Sequence, residues 1–407
     1  MRRFTALIIG VILAGWTHGS SQIVVTVSQP VPAGVTSSPS YPFTVSLPSG
    51  TFNGSQTVTI SDGSQGGTFT PSVGSPGTNS ITVTPAGGAS GFTFTYSAAS
   101  TGNKSISVSN GQGWANAAPV TYYANTAANW YGNTWNNPGG APTLTGVSHG
   151  SYHSNIMNQD IGFNIYLPPG YSTSTHYPVV YSFDGDPTSE NVNPPIVQPY
   201  VQSKIVAATV KPMIYVFPAT GWKGMNAVQG APAYGAYMAE ATIIYELIPY
   251  IDANYSTIAS KAGRALSGFS GGGEVCDRLV FKFPQMFSSA YCYASAVDDT
   301  SANIQANEPG GYANMLNSIA ANWTPMAVWG LTVSNQNALV AAAIPLHATV
   351  GDSDSLESTN VALFAQLDNL SVPHDPLTVA TGCGHSFTCD MTFTNGADVD
   401  FASAHFP

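Results

Sequence analysis

The sequence predicts an all-β unit followed by an α/β unit. Three observations carry this: period-2 alternation between residues 22 and 125, strands alternating with helices after Leu144, and a Gly-Phe-Ser-Gly-Gly run at 268–272. A chain of 407 residues exceeds one typical core and suits two domains. Charged residues make up only 8%, far below the usual quarter. Yet 43% of residues are hydrophobic, with 18 Phe, 20 Tyr and 7 Trp to build cores, so disorder is not the reading. The net charge of −11 becomes −13 if Arg2 and Arg3 leave with a leader. That argues against nucleic acid and anionic membrane surfaces as partners.

Met1-Arg-Arg3 precedes an apolar stretch from Phe4 to Trp16, and small residues follow at Gly19, Ser20 and Ser21. This predicts a signal peptide over 1–21 and a secreted protein. No other segment approaches the length of a membrane span, so no membrane partner is expected. Four cysteines in an exported chain invite pairing. Their positions suggest Cys276–Cys292 and Cys383–Cys389, each closing a short loop; free buried thiols are the alternative. No C-x-x-C spacing is present. His149-Gly-Ser-Tyr-His153 has H-x-x-x-H spacing, but its middle residues are poor helix formers. We read it as a polar turn and expect no metal.

Over 22–125, Ile23–Val27, Phe43–Leu47, Thr57–Ile60, Ile81–Thr84, Phe92–Tyr96, Ser105–Val108 and Val120–Tyr123 alternate or are β-branched, with Gly, Pro, Asn and Ser turns between them. Such spacing predicts an immunoglobulin-like β-sandwich. Its only charged residues are Asp62 and Lys104. No nucleophile, base or ligand cluster appears there. A spacer is expected, with carbohydrate binding as the alternative role. Residues 126–143 are rich in Asn, Gly and Pro, carry Trp130 and Trp135, and read as the linker. Residues 144–407 are the predicted catalytic domain. In it, strands are expected at Ile161–Leu167, Tyr177–Phe183, Met213–Phe217, Ala290–Ala294 and Leu346–Val350. Helices are expected at Tyr237–Asn254, after the 268–272 run, and at Val361–Leu370.

A serine that attacks a carbonyl must stand on a sharp strand-to-helix turn, and flanking glycines let the neighbouring segments pass close by. Gly268-Phe-Ser-Gly-Gly272 meets that demand. A partly apolar stretch precedes it, and Glu274–Phe283 follows with apolar residues at helical spacing. Ser270 is the candidate nucleophile. It needs a base, and the base needs an orienting acid. His385, in Thr381-Gly-Cys-Gly-His385, follows the last strand signal, and the order Ser, acid, His is that of the α/β-hydrolase fold; His374 is the second candidate. Gly351-Asp-Ser-Asp354 follows a strand, where catalytic groups collect in open α/β sheets. Asp354 is the preferred acid and Asp352 the alternative. The oxyanion needs two N–H donors. Gly271 supplies one, and the loop after Phe183 should supply the other through Asp186.

These residues resemble carbohydrate esterase family 1 and the esterase D-like α/β-hydrolases, the feruloyl and acetylxylan esterases among them. The resemblance runs from about Gly146 to the C-terminus. It rests on Tyr166-Leu-Pro-Pro-Gly-Tyr171, Tyr181-Ser-Phe-Asp-Gly185, Glu246-Leu-Ile-Pro-Tyr-Ile251, Arg264–Gly272, Gly351-Asp-Ser-Asp354 and Gly384-His385. In the family pattern the last residue of G-x-x-D is the acid, which favours Asp354. Two positions depart from it: Asp184-Gly185 replaces His-Gly, as in mycolyltransferase-like relatives, and Gly271 replaces Met. The resemblance implies a secreted serine carboxylesterase without cofactor. Its substrate would be a small ester or a plant cell-wall polysaccharide ester, with feruloyl or acetyl groups on xylan. An acyltransferase and a non-catalytic binding protein on a hydrolase fold are the alternatives. Trp222, Tyr234 and Trp329 are candidate substrate-binding aromatics.

Overall fold

The computed structural model describes residues 24–29, 31, 33–48, 50–125, 135–185, 189–220, 226–227, 237–297 and 327–407. The expected signal peptide, Asp186, Trp222 and Tyr234 lie outside them.

Residues 24–125 build a six-stranded and a five-stranded sheet. Phe43, Phe69 and Phe94 from one sheet and Ile60, Ile106 and Tyr122 from the other share one buried core. The alternation explains it, because successive side chains leave opposite faces of a strand. Asp62 and Lys104 are both buried, so the described surface of this unit exposes no charged side chain. Asp62 accepts the Gln65 and Gly67 N–H groups at 3.0 and 2.8 Å and the Tyr96 hydroxyl at 2.9 Å. Lys104 donates to Ser100 Oγ and to the Thr101 carbonyl.

The second unit is an eight-stranded sheet. Its strands are β1 (Val147–Ser154), β2 (Gln159–Tyr166), β3 (Val179–Phe183), β4 (Ile214–Pro218), β5 (Arg264–Phe269), β6 (Ser289–Tyr293), β7 (Leu346–Gly351) and β8 (Thr378–Ala380). Their spatial order is β1-β2-β4-β3-β5-β6-β7-β8. The first two strands run antiparallel and β3 to β8 are parallel. This is an α/β-hydrolase-like sheet.

Neighbours along each strand serve opposite faces. Tyr181, Val216 and Leu266 join one buried cluster, and Val180, Tyr215 and Ala265 join the other. Helices α1 (Pro194–Val206), α7 (Phe387–Thr394) and α8 (Ala397–His405) cover the second face. The first face takes α2, made of Ala239–Thr242, a π turn at Ile243–Leu247 and Ile248–Asn254. It also takes α3 (Gly271–Lys282), α4 (Val328–Ser334), α5 (Gln336–Ala342) and α6 (Glu357–Asn369).

One local expectation fails. His149-Gly-Ser-Tyr-His153 is strand rather than turn, because β1 pairs with β2 along its whole length. Tertiary pairing overrides the weak local propensity.

The two units touch. Val31 and Ala33 join the same buried cluster as Ile156 and Met157, and the Tyr41 and Tyr245 rings lie 4.8 Å apart. Glu246 accepts the Asn155 and Ile156 N–H groups at 2.8 and 3.0 Å and the Ser154 hydroxyl at 2.5 Å.

Asp62→Ala would strand two N–H groups and a buried hydroxyl. It should lower the unfolding free energy of the N-terminal unit by about 2–4 kcal/mol in urea titration. A loss under about 0.5 kcal/mol would mean that water replaces the carboxylate.

Candidate active site

The carboxyl ends of β3, β5, β7 and β8 converge on one edge of the sheet. The chain leaves β5 into α3 through Ser270, whose backbone stands at φ 58° and ψ −119°. A non-glycine residue there is strained, by roughly 1–3 kcal/mol. Contacts on every side hold it. Its N–H donates to Tyr293 O at 3.0 Å, and its carbonyl accepts Glu274 N and Ala296 N at 3.0 and 2.9 Å. The glycines around it are required by space. A Cβ on Gly268 would come within 2.1 Å of Gly272 O, and one on Gly272 within 2.1 Å of Phe183 O.

Ser270 Oγ lies 2.8 Å from His385 Nε2, and His385 Nδ1 lies 2.8 Å from Asp354 Oδ2. The Asp354 carboxylate is fully buried, while the imidazole is 38% exposed. Asp354 Oδ1 accepts the Leu356 N–H at 2.8 Å, which fixes the carboxylate plane. Asp352, the alternative acid, turns elsewhere and accepts the Gly382 N–H at 3.0 Å. His374, the second histidine candidate, packs on Phe364 and pairs with Asp368.

The loop carrying His385 is fastened at several points. Ser353 N–H donates to Cys383 O, and Ser386 caps α7 by accepting the Cys389 N–H. Cys383 is bonded to Cys389, and Cys276 of α3 to Cys292 of β6. A Cβ on Gly351 would stand 2.2 Å from Cys383 O, so the acid and histidine loops meet backbone to backbone. Phe269 lies against His385 with ring centroids 4.8 Å apart and stacks on Phe387 at 5.1 Å.

Gly271 N–H opens α3 beside Ser270, at the positive end of the helix. From the other side the turn after β3 approaches: a Cβ on Gly185 would lie 3.1 Å from Ser270 Cβ. Asp184 faces away from the reaction centre. Its two oxygens accept the Val192 and Asn193 N–H groups at 2.9 and 3.0 Å. Burial pushes its carboxyl well above the usual range, against the pull of those two donors. A cleft of about 290 Å³ opens beside His385, walled by Val192, Ile196, Phe269 and Phe387. Trp329 does not line it; half-buried on α4, it packs against the core. The apolar wall went unread in the sequence, although Phe269, inside the elbow motif itself, was a visible signal.

Asp390 of α7 is fully buried, and neither of its oxygens has a partner among the described residues. Burial, and then the charge of Asp354, push its carboxyl up to about 7. The folded pKa lies above the unfolded one, near 4. The associated stability is therefore complete below pH ~4 and lost as pH rises through about 7. Asp390→Asn should reduce the fall in melting temperature over that window and exceed the native chain at pH 8 by about 1–3 kcal/mol. An unchanged slope would show that Asp390 is not its source.

Residues 154–387 match the Esterase family model. "Esterase MT1326" of Mycobacterium tuberculosis (strain CDC 1551 / Oshkosh) is 31% identical over 140 residues, 34% of this chain and 30% of that protein. The "Endo-1,4-beta-xylanase/feruloyl esterase" of Xylanibacter ruminicola is 33% identical over 137 residues, 30% of this chain and 18% of that protein. The chain thus spans less than a third of the length of these curated relatives. A solved ferulic acid esterase superposes with a TM-score of 0.54 at 19% identity, covering 64% of this chain and 98% of the other, a likeness of fold. With more than half its length matched, the chain belongs to the Esterase family, of the carbohydrate esterase family 1 and esterase D-like kind.

Proposed function

We propose that this protein is a secreted serine carboxylesterase acting on feruloyl or acetyl esters of plant cell-wall polysaccharide. The unbroken relay from Ser270 Oγ to His385 to Asp354, 2.8 Å at each step, carries the reading. His385 Nε2 takes the Ser270 proton as Oγ attacks the ester carbonyl. Asp354 accepts the hydrogen bond from Nδ1–H and stabilises the imidazolium. Gly271 N–H, with a second donor assigned to Asp186, stabilises the oxyanion. The tetrahedral adduct collapses, and the alcohol leaves with the proton from Nε2. Water, deprotonated by His385, then attacks the acyl-enzyme and releases the acid. No cofactor enters these steps.

The apolar walls of the cleft beside His385 suit a flat aromatic or methyl acyl group better than a charged one. The xylanase/feruloyl esterase relative supports the feruloyl choice. Acyl transfer was suggested by Asp184-Gly185, but that carboxylate is occupied with the Val192 and Asn193 N–H groups, so hydrolysis is preferred. We assign the N-terminal two-sheet unit an immunoglobulin-like spacer role, since it exposes no charged side chain among its described residues. The two disulfides support an oxidising, extracellular compartment.

Ser270→Ala should lower p-nitrophenyl acetate turnover by at least about 1,000-fold and abolish labelling by a fluorophosphonate probe. Wild-type turnover in that variant would end the mechanism. Methyl ferulate and acetylated xylan, assayed side by side, decide the acyl group; activity on neither removes the cell-wall assignment.

Cys383→Ser with Cys389→Ser removes the bridge beside His385. So short a loop gains only about 2–3 kcal/mol of chain entropy, so the variant should still fold. A displacement of ~1 Å can cost on the order of 100-fold in rate, so most turnover should be lost. Full activity would show that the backbone contacts and Phe269 suffice to hold the imidazole.

A further inference from the structure

The turn that leaves β3 is gripped from outside the matched family segment. Glu190 is fully buried. Its Oε1 accepts the Asn137 N–H at 2.6 Å and lies 3.2 Å from His149 Nε2 on β1. Its carbonyl accepts from Asn164 Nδ2 of β2 at 2.6 Å, and the same amide donates to Asn191 Oδ1 at 2.7 Å. Asn191 Nδ2 donates to Asn137 O at 3.0 Å. Gly162 N–H of β2 donates to Trp135 O at 2.6 Å. Residues 135–140, part of the expected linker, therefore form a strap against β2 and the Glu190 turn. Gly162 leaves room for both: a Cβ there would stand 2.6 Å from Glu190 Oε1 and 3.0 Å from Asn136 Cα.

The same turn is closed at its other end. Asp184 holds the Val192 and Asn193 N–H groups, and Asn193 Nδ2 donates to Phe183 O at 2.9 Å. Gly185 directly follows Asp184, and a Cβ on it would lie 3.1 Å from Ser270 Cβ. A shift of Glu190 therefore reaches the backbone that flanks Ser270 through Val192, Asn193 and the Asp184 carboxylate.

We propose that Glu190, held by the 135–140 strap, is a positioning residue for ester hydrolysis, fixing the turn after β3 against Ser270. This rests on the reading of Ser270, His385 and Asp354 as the catalytic set. The strap then belongs to the working catalytic unit, although it precedes the family match at residue 154. Glu190 touches neither substrate nor reacting atom. It acts through geometry, and the buried carboxylate gives that geometry strength, because its removal strands the Asn137 N–H and the His149 imidazole together.

The test uses the full chain with Glu190→Ala, Glu190→Gln and Gly162→Ala. It measures p-nitrophenyl acetate kinetics per fluorophosphonate-titrated site, with thermal melting of each variant. Glu190→Ala should lower kcat about 10- to 100-fold with KM within about threefold, and slow phosphonylation in parallel. Glu190→Gln keeps an acceptor for Asn137 and should recover to within about fivefold of the native rate. Gly162→Ala keeps the carboxylate but displaces it, and should also lower kcat. Folded Glu190→Ala and Gly162→Ala chains with native kcat per site would overturn the proposal, whatever their melting temperatures. If Glu190→Ala does not fold, Gly162→Ala and Glu190→Gln decide by the same measure. Ser270→Ala is run alongside. An inactive Ser270→Ala beside a fully active Glu190→Ala sinks only the positioning role, and an active Ser270→Ala sinks the esterase reading itself.

Discussion

At Ser270 the chain turns from strand to helix within one residue, in a backbone conformation that few serines adopt. That turn exists only because β5 and α3 can press against their neighbours without side chains between them. Gly268 meets Gly272, Gly272 meets the end of β3, and a Cβ on Gly273 would stand 2.6 Å from Tyr293 O of β6. Three strands and one helix are thus registered at backbone contact around a single residue. The strain is offset because both backbone groups of Ser270 are hydrogen-bonded. The side chain is left pointing out of the sheet edge, where the loops after β3, β7 and β8 can reach it.

A chain with so few charges uses them selectively. Glu240 of α2 receives Arg278 at 3.1 Å and also Lys282, both on α3. Asp252 takes the Thr257 hydroxyl at 2.6 Å and Arg264 of β5 at 2.5 Å. A buried pair such as Glu240–Arg278 is a poor source of net stability, since desolvation cancels most of the attraction. Breaking one partner is costly, however, so such pairs discriminate against shifted arrangements. Here they set α3 against α2 and β5 against the end of α2, while Cys276–Cys292 ties α3 to β6. All three restraints act on the strand and helix that meet at Ser270.

What could be read from the sequence follows from how local each cause is. The elbow was legible because its demand for glycine is met within five residues. Several parallel strands were legible as short apolar runs, with β3 followed by Asp184 and with β4 and β7 ending at Pro218 and Gly351. Asp354 and Asp352 could not be separated by spacing alone, because the difference is which way each carboxylate turns, and Gly382 supplies the second partner. β1 was missed because His149-Gly-Ser-Tyr-His153 has weak strand propensity and takes its order from pairing with β2. The strap was missed for a like reason. Asn, Gly and Pro read as a linker, and only Glu190, Asn164 and Asn191, brought in by the fold, give Asn137 its partners.

The polarity of the Ser270–His385–Asp354 line has its own consequence. Asp354 lies in a dry site and His385 at its mouth, so the imidazole bridges low dielectric and solvent. The carboxylate's hold on Nδ1 is strong because no water competes for it, and the Leu356 N–H uses its other oxygen. In the proposed hydrolysis Nε2 faces the exposed side, where the alcohol leaves and water arrives. For that mechanism a dry histidine would bar the water that deacylation needs, and a wet aspartate would let the ring swing. Phe269 resolves the remaining freedom. Stacked on Phe387 and packed at a tilt against His385, it restrains the imidazole plane on the side that Asp354 does not reach. In the proposed mechanism Phe269, the last residue of β5, thereby helps aim the His385 base at the Ser270 that follows it.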